Sequence, residues 1–221
     1  IYAFVIKHSI EFNGILSADF NIEIDNFINE IVKNLISKMN RMYKIEKQKA
    51  KMNENNTLDN IECAFKSAFY MHFRHLYNEY ENLNISTSFY TAIFYFIREF
   101  CYASMFRYNK SGKFNVPYGG ISYNRKEFIK KIEYLESKKM KEYMENTKIY
   151  CDDFEDFLKK IEPKEGDFIF LDPPYDTEFS TYAQNEFAKK DQIRLCEYLK
   201  NTKANIMLII KNTDFIYNLY N

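Results

Sequence analysis

The sequence predicts an α/β layer preceded by a mainly helical region, and three observations carry that prediction. Two short, continuous apolar runs, at 168–171 and 206–210, read as strands buried on both faces of a parallel sheet. Between them a helix is expected from about 191 to 200, so strand and helix alternate. In the first half the period changes: Ile24, Phe27, Ile28, Ile31, Val32, Leu35, Ile36 and Met39 recur at three- and four-residue spacing, the stripe of an amphipathic helix that packs inward.

The remaining elements follow in order. Helices are expected at about 58–80 and, rich in aromatics, at 88–100. Gly, Asn and Pro then gather in "RYNKSGKFNVPYGG" at 107–120, where "NKSG" turns a hairpin and Pro117 ends a strand. Asn124 followed by Glu127 has the spacing of a capping box that opens a helix toward residue 137. A short strand at 148–150 leads into "CDDFEDFLKK", a helical turn, and Asp191 stands as the N-cap of a helix with Leu195 and Leu199 on one face.

At 221 residues, with 46% hydrophobic and 18% aromatic residues, the chain can bury a full core and is not a disordered polymer. Its net charge is zero, yet residues 107–148 hold eleven Lys or Arg against five acids, and residues 33–51 hold seven against one. Two basic patches in a neutral chain suit phosphate contact, although solvated helix faces give the same count. Cys63, Cys101, Cys151 and Cys196 are widely spaced, which points to reduced thiols in a cytoplasm. With no apolar run of about 18 residues, no membrane association is expected. No metal is expected either, because His72 and His75 share a helix but find no third ligand.

The stretch "GDFIFLDPPYDT" at 166–177 aims a strand at a rigid turn. Ligands of open α/β sheets bind at the carboxyl ends of strands, where Asp172 falls. Pro173 and Pro174 fix φ and remove donors, leaving carbonyls that nothing inside the turn can use. An exocyclic amine on a nucleobase is a poor nucleophile because its lone pair is delocalised into the ring. If the Asp172 carboxylate and the Pro173 carbonyl accept its two hydrogens, the nitrogen moves toward tetrahedral geometry and the lone pair is concentrated. Tyr175 would stack on the ring. A base inside a duplex must be flipped out to reach such a site.

The turn, together with "FCYASMFRYNKSGKFNVPYGG" at 100–120, resembles the Dam-type (class D12) DNA adenine N6-methyltransferases, and weaker similarity runs through "DFIFLDPPYDTEFSTYAQNEFAKKDQ" and "IKNTDFIYNLY". The resemblance implies a partial Rossmann-like, S-adenosylmethionine-dependent methyltransferase sheet with an inserted, mainly helical target-recognition subdomain carrying a β-hairpin. It implies S-adenosylmethionine as cofactor, double-stranded DNA as partner and a GATC or related target. It implies that Arg107 reads a guanine, Met105 meets a thymine methyl, Tyr102 enters the stack as adenine leaves, and Pro117 lies at the edge of the site. Asn109 and Asn115 belong to the same hairpin as DNA-contact or turn-shaping residues. On the cofactor side it implies Asp172 near the sulfonium methyl, with Asp153 or Phe154 beside the adenine.

The sequence departs from the family at Ala103 and Gly120, where some members carry an amide and an arginine. It also lacks the Gly-rich cofactor loop, so an internal piece of a longer protein is expected. The corresponding division is 1–15 and 129–221 for the catalytic domain and 16–128 for the subdomain, with the hairpin at 101–120. Two alternatives stay open, a non-catalytic DNA-binding module and an amino-methyltransferase of cytosine N4 or RNA. The oligomeric state is not legible.

Overall fold

A computed structural model describes residues 3, 7, 8, 22–175 and 187–221. The chain divides into two compact units, Ile1–Glu133 and Tyr134–Asn221. The catalytic segment expected at 1–15 and the start of the subdomain expected from 16 lie almost wholly outside the described residues.

In the first unit the apolar stripe folds as α1 (Ile24–Gln48), packed against α2 (Glu54–Asn78), with α3 (Thr87–Phe100) against α2 in turn. Phe27, Ile28, Ile31 and Leu35 of α1 are buried with Ala64 and Ala68 of α2, whose small side chains let the helices approach. The stripe stops there: Ile36 and Met39, expected inside, are exposed, because α1 outruns the surface that covers its first half. Asn53 and Ser86 cap α2 and α3 by accepting backbone N–H groups of Asn56 and Phe89. A larger core joins α2 and α3 to the inner side of the hairpin through Tyr70, Phe73, Leu76, Ile97, Phe114 and Val116.

The expected capping box at Asn124 and Glu127 does not form. Asn124 is buried, and its amide donates to the Asp59 carbonyl (2.9 Å), so a tertiary partner on α2 displaces the local one. α4 (Phe128–Glu136) begins beyond it, and Ser137 caps a further helix, α5 (Lys138–Glu145).

In the second unit α6 (Phe154–Ile161) precedes strand β1 (Phe168–Leu171), and α7 (Lys189–Asn201) leads to β2 (Asn205–Leu208) and α8 (Asp214–Tyr220). The strands pair in parallel, Phe168 opposite Asn205 and Leu171 opposite Leu208. A mixed helical chain with a small parallel sheet accords with the α/β class. Three expectations change. Residues 148–150 form no strand, and Ile149 is exposed. Asp191 lies one turn inside α7 rather than at its cap, where its carboxylate accepts the Ala188 N–H (2.9 Å). The strands are not buried on both faces: Phe168 and Phe170 are exposed while Ile169 and Leu171 are half-buried, because each strand has a single neighbour among the described residues.

Candidate functional site

The hairpin is held from behind by one face of α2. Tyr70, Arg74 and Asn78 follow at four-residue spacing, so they stand in a row along the helix. Tyr70 Oη and Arg74 Nη1 both donate to the Val116 carbonyl (2.9 and 3.0 Å). Asn78 takes the Phe114 N–H on Oδ1 (2.8 Å) and donates from Nδ2 to the Phe114 carbonyl (3.0 Å). Lys113 pairs with Glu79 one residue further on. Helix polar groups thus satisfy the backbone of the inner arm, and a period-2 alternation decides which side chains face out. Phe114, Val116 and Tyr118 are buried, whereas Tyr102, Met105, Arg107, Asn109 and Pro117 are exposed and Asn115 is half-buried. Sequence reasoning missed Tyr70, Arg74 and Asn78; their signal is a row of polar side chains spaced i, i+4, i+8 along one face of the helix.

The arms meet in two antiparallel bridges, Cys101 with Tyr118 and Tyr108 with Phe114, rather than in regular strands. Pro117 does not end the pairing, since its carbonyl accepts the Tyr102 N–H (2.8 Å) and the ladder continues to Tyr118. At the tip, Asn109 Oδ1 accepts the backbone N–H groups of Ser111 and Lys113 (2.9 and 3.0 Å) and Gly112 takes φ +73°, so Asn109 builds the turn. Arg107 Nε donates to Asn115 Oδ1 (3.2 Å) across the arms. Beside Tyr102, Ala103 and Ser104 both adopt left-handed backbone (φ +52° and +53°), a conformation that costs non-glycine residues about 1 kcal/mol or more each.

In the second unit Asp172 leaves the carboxyl end of β1 exposed, with Tyr175 43% exposed and Pro173 and Pro174 half-buried between them. Among the described residues the Asp172 carboxylate has no hydrogen-bond or ion-pair partner. Behind the turn, Gln192 of α7 is 1% exposed and donates from Nε2 to the Pro174 carbonyl (3.0 Å). Arg194, two residues on, ties the surrounding helix ends together: it donates to Asp153 (2.7 Å), Glu155 (2.7 Å) and Asp191 (3.0 Å). Asp153 also caps α6, and the Arg194 guanidinium holds its carboxyl below the usual carboxylate range. The same guanidinium lies 4.9 Å from the Phe154 ring centre, and Phe187 packs at 5.7 Å. Asp153 and Phe154 are therefore brought together, with Arg194 between them and the first turn of α7. Gln192 and Arg194 were not foreseen; only their place in the first two turns of the helix after the proline turn marks them.

Among the described residues no group of three or more His, Cys, Asp or Glu could hold a metal, and no helix is long and apolar enough to cross a membrane. The four cysteines are free.

Fold and site together define an α/β protein that offers a carboxylate and a proline turn at a strand end and carries an exposed basic hairpin on a helical scaffold. A model of the D12 class N6 adenine-specific DNA methyltransferases matches residues 2–221, and the chain belongs to that family. It is similar to the type II methyltransferase M.CviBI of Paramecium bursaria Chlorella virus NC1A, 37% identical over 128 residues, which are 58% of this chain and 46% of that protein. It is similar to the type II methyltransferase M.MjaIII of Methanocaldococcus jannaschii, 29% identical over 98% of this chain and 72% of that protein. The retron Ec67 DNA adenine methylase of Escherichia coli is 32% identical over 65% of this chain and 50% of its own length. The match thus spans about half the length of two of these relatives. The family implies S-adenosylmethionine as methyl donor.

Proposed function

We propose that the protein transfers a methyl group from S-adenosylmethionine to adenine N6 in duplex DNA, at GATC or a related site. The observation that carries the reading is the exposed Asp172 carboxylate at the carboxyl end of β1, on a turn whose Pro174 carbonyl is already taken by Gln192. The acceptors we assign to an amine are the Asp172 carboxylate and the Pro173 carbonyl. Together they draw the two N6 hydrogens out of the ring plane and localise the lone pair, while Tyr175 offers a ring for stacking. S-adenosylmethionine, when bound, supplies a methyl group on a positively charged sulfur, and the Asp172 carboxylate suits that charge. With Asp153 shared with Arg194, Phe154 is the apolar side chain offered to the cofactor's adenine.

On the DNA side, Tyr102, Met105, Arg107 and Pro117 are exposed on the hairpin, as a reader of base edges requires. The subdomain at 16–128 and the catalytic segments at 1–15 and 129–221 remain our division; the contact boundary falls at Glu133, five residues beyond its second limit. Free cysteines support a reducing cytoplasm. The test is to incubate the intact protein with labelled S-adenosylmethionine and duplexes with and without GATC, then hydrolyse the DNA. Label on adenine N6 in a subset of duplexes is expected; label on cytosine N4, or on no base, overturns the reading.

A further inference from the structure

α1 and α2 leave between them a cleft of about 270 Å³ that opens beside the base of the hairpin. Ser37, Lys38 and Arg41 of α1 line it with Ser67 of α2 and with Pro117 and Gly120 of the hairpin. Lys33 also reaches it but is neutralised by Glu30 at 3.1 Å. Lys38 and Arg41 have no carboxylate partner among the described residues; Lys38 donates only to the Cys63 thiol, at 3.5 Å. Like charges three residues apart share a helix face and repel one another, so this pair is at a cost in the free protein and favours an anion. Gly120 keeps the wall open: it takes φ +85°, and no atom lies within 4 Å of where a Cβ would stand. Pro117, at the cleft's edge, is exposed on the same hairpin as Met105 and Arg107.

We propose that this cleft is a phosphodiester site, in which Lys38 and Arg41 grip the backbone of duplex DNA while the hairpin reads bases. A guanidinium offers two parallel donors to a phosphate and the ammonium adds a point charge, with Ser37 as a neutral donor one turn away. Such a contact sets the register of the hairpin on the duplex and carries no sequence information. The proposal rests on the reading of the hairpin as a duplex-DNA surface.

The test measures binding of the intact protein to its preferred duplex and to a scrambled one across a salt series. In Lys38→Gln/Arg41→Gln the slope of log K against log salt falls by nearly 2, because each lost phosphate contact removes about 0.9. The ratio of the two affinities stays unchanged. Arg41→Gln alone loses about 0.9 and serves if the double variant fails to fold. A slope equal to that of the unsubstituted protein means a solvated helix face and overturns the proposal, even where that protein methylates DNA normally. A collapse of the affinity ratio overturns it in favour of base contact. If the unsubstituted protein binds neither duplex, the proposal falls together with the reading beneath it.

Discussion

Arg107 and Asn115 are joined across the hairpin, the guanidinium Nε donating to the amide oxygen at 3.2 Å. The bond uses the inner nitrogen of the fork and leaves both terminal nitrogens for a ligand, the pair that suits O6 and N7 of guanine. Arg107→Ala is predicted to lose about 1 to 3 kcal/mol of discrimination at one guanine, measured with singly substituted duplexes. Asn115→Ala keeps the charge but frees the side chain, so it should lose less at the same position. An equal loss on every duplex would mark Arg107 as a phosphate contact instead.

Asp172 is exposed at the end of β1, and its removal should leave the fold intact. Asp172→Ala is predicted to lower the methylation rate by about 100-fold or more, the scale on which a single preorganised electrostatic contact acts. Unchanged melting and DNA binding should accompany that loss. A variant that methylates at the normal rate would falsify the assignment.

Gln192 donates to the Pro174 carbonyl from a fully buried position, while its own Oε1 has no partner. Gln192→Leu removes a hydrogen bond and an unsatisfied oxygen together, so stability should change by no more than about 1 kcal/mol. The methylation rate should nevertheless fall, because the proline turn loses its brace. Gln192→Glu separates positioning from packing: the ionised carboxylate cannot donate, the protonated one can, and activity should therefore recover as pH falls. A flat pH profile for that variant would leave Gln192 a packing residue.

His72 is 2% exposed, bonded through Nδ1 to the Asn26 amide (3.1 Å), and burial, helped by nearby His75, pushes its pKa down to about 4. The unfolded chain holds its proton near the ordinary value of about 6.5, so between the two values the unfolded state binds more protons. Stability is predicted to be full above about pH 6.5 and to fall by about 3 kcal/mol as the pH drops toward 4. Urea unfolding at pH 7 and pH 4.5 measures the difference. In His72→Phe this acid dependence should shrink.

The sequence by itself determined the order of the three long helices, of the helix at 154–161 and of the strand–helix–strand segment, the α/β character of the second unit, the helix stripe of α1 as far as Leu35 and the acid–proline turn at the strand end. Each is a local or periodic property: apolar spacing sets helix or strand, and proline fixes φ whatever lies around it. Tertiary structure alone decided which polar groups are used and how far burial extends. Asn124 looked like a helix cap and instead bonds Asp59; the carbonyl of Pro174 finds Gln192; Asp153 is claimed by Arg194; the hairpin backbone is fixed by Tyr70, Arg74 and Asn78. These partners are 18 to 65 residues apart along the chain, and no periodicity in one segment encodes a partner in another. A polar side chain takes the best-placed partner the packed chain brings to it, and packing is settled by all segments at once.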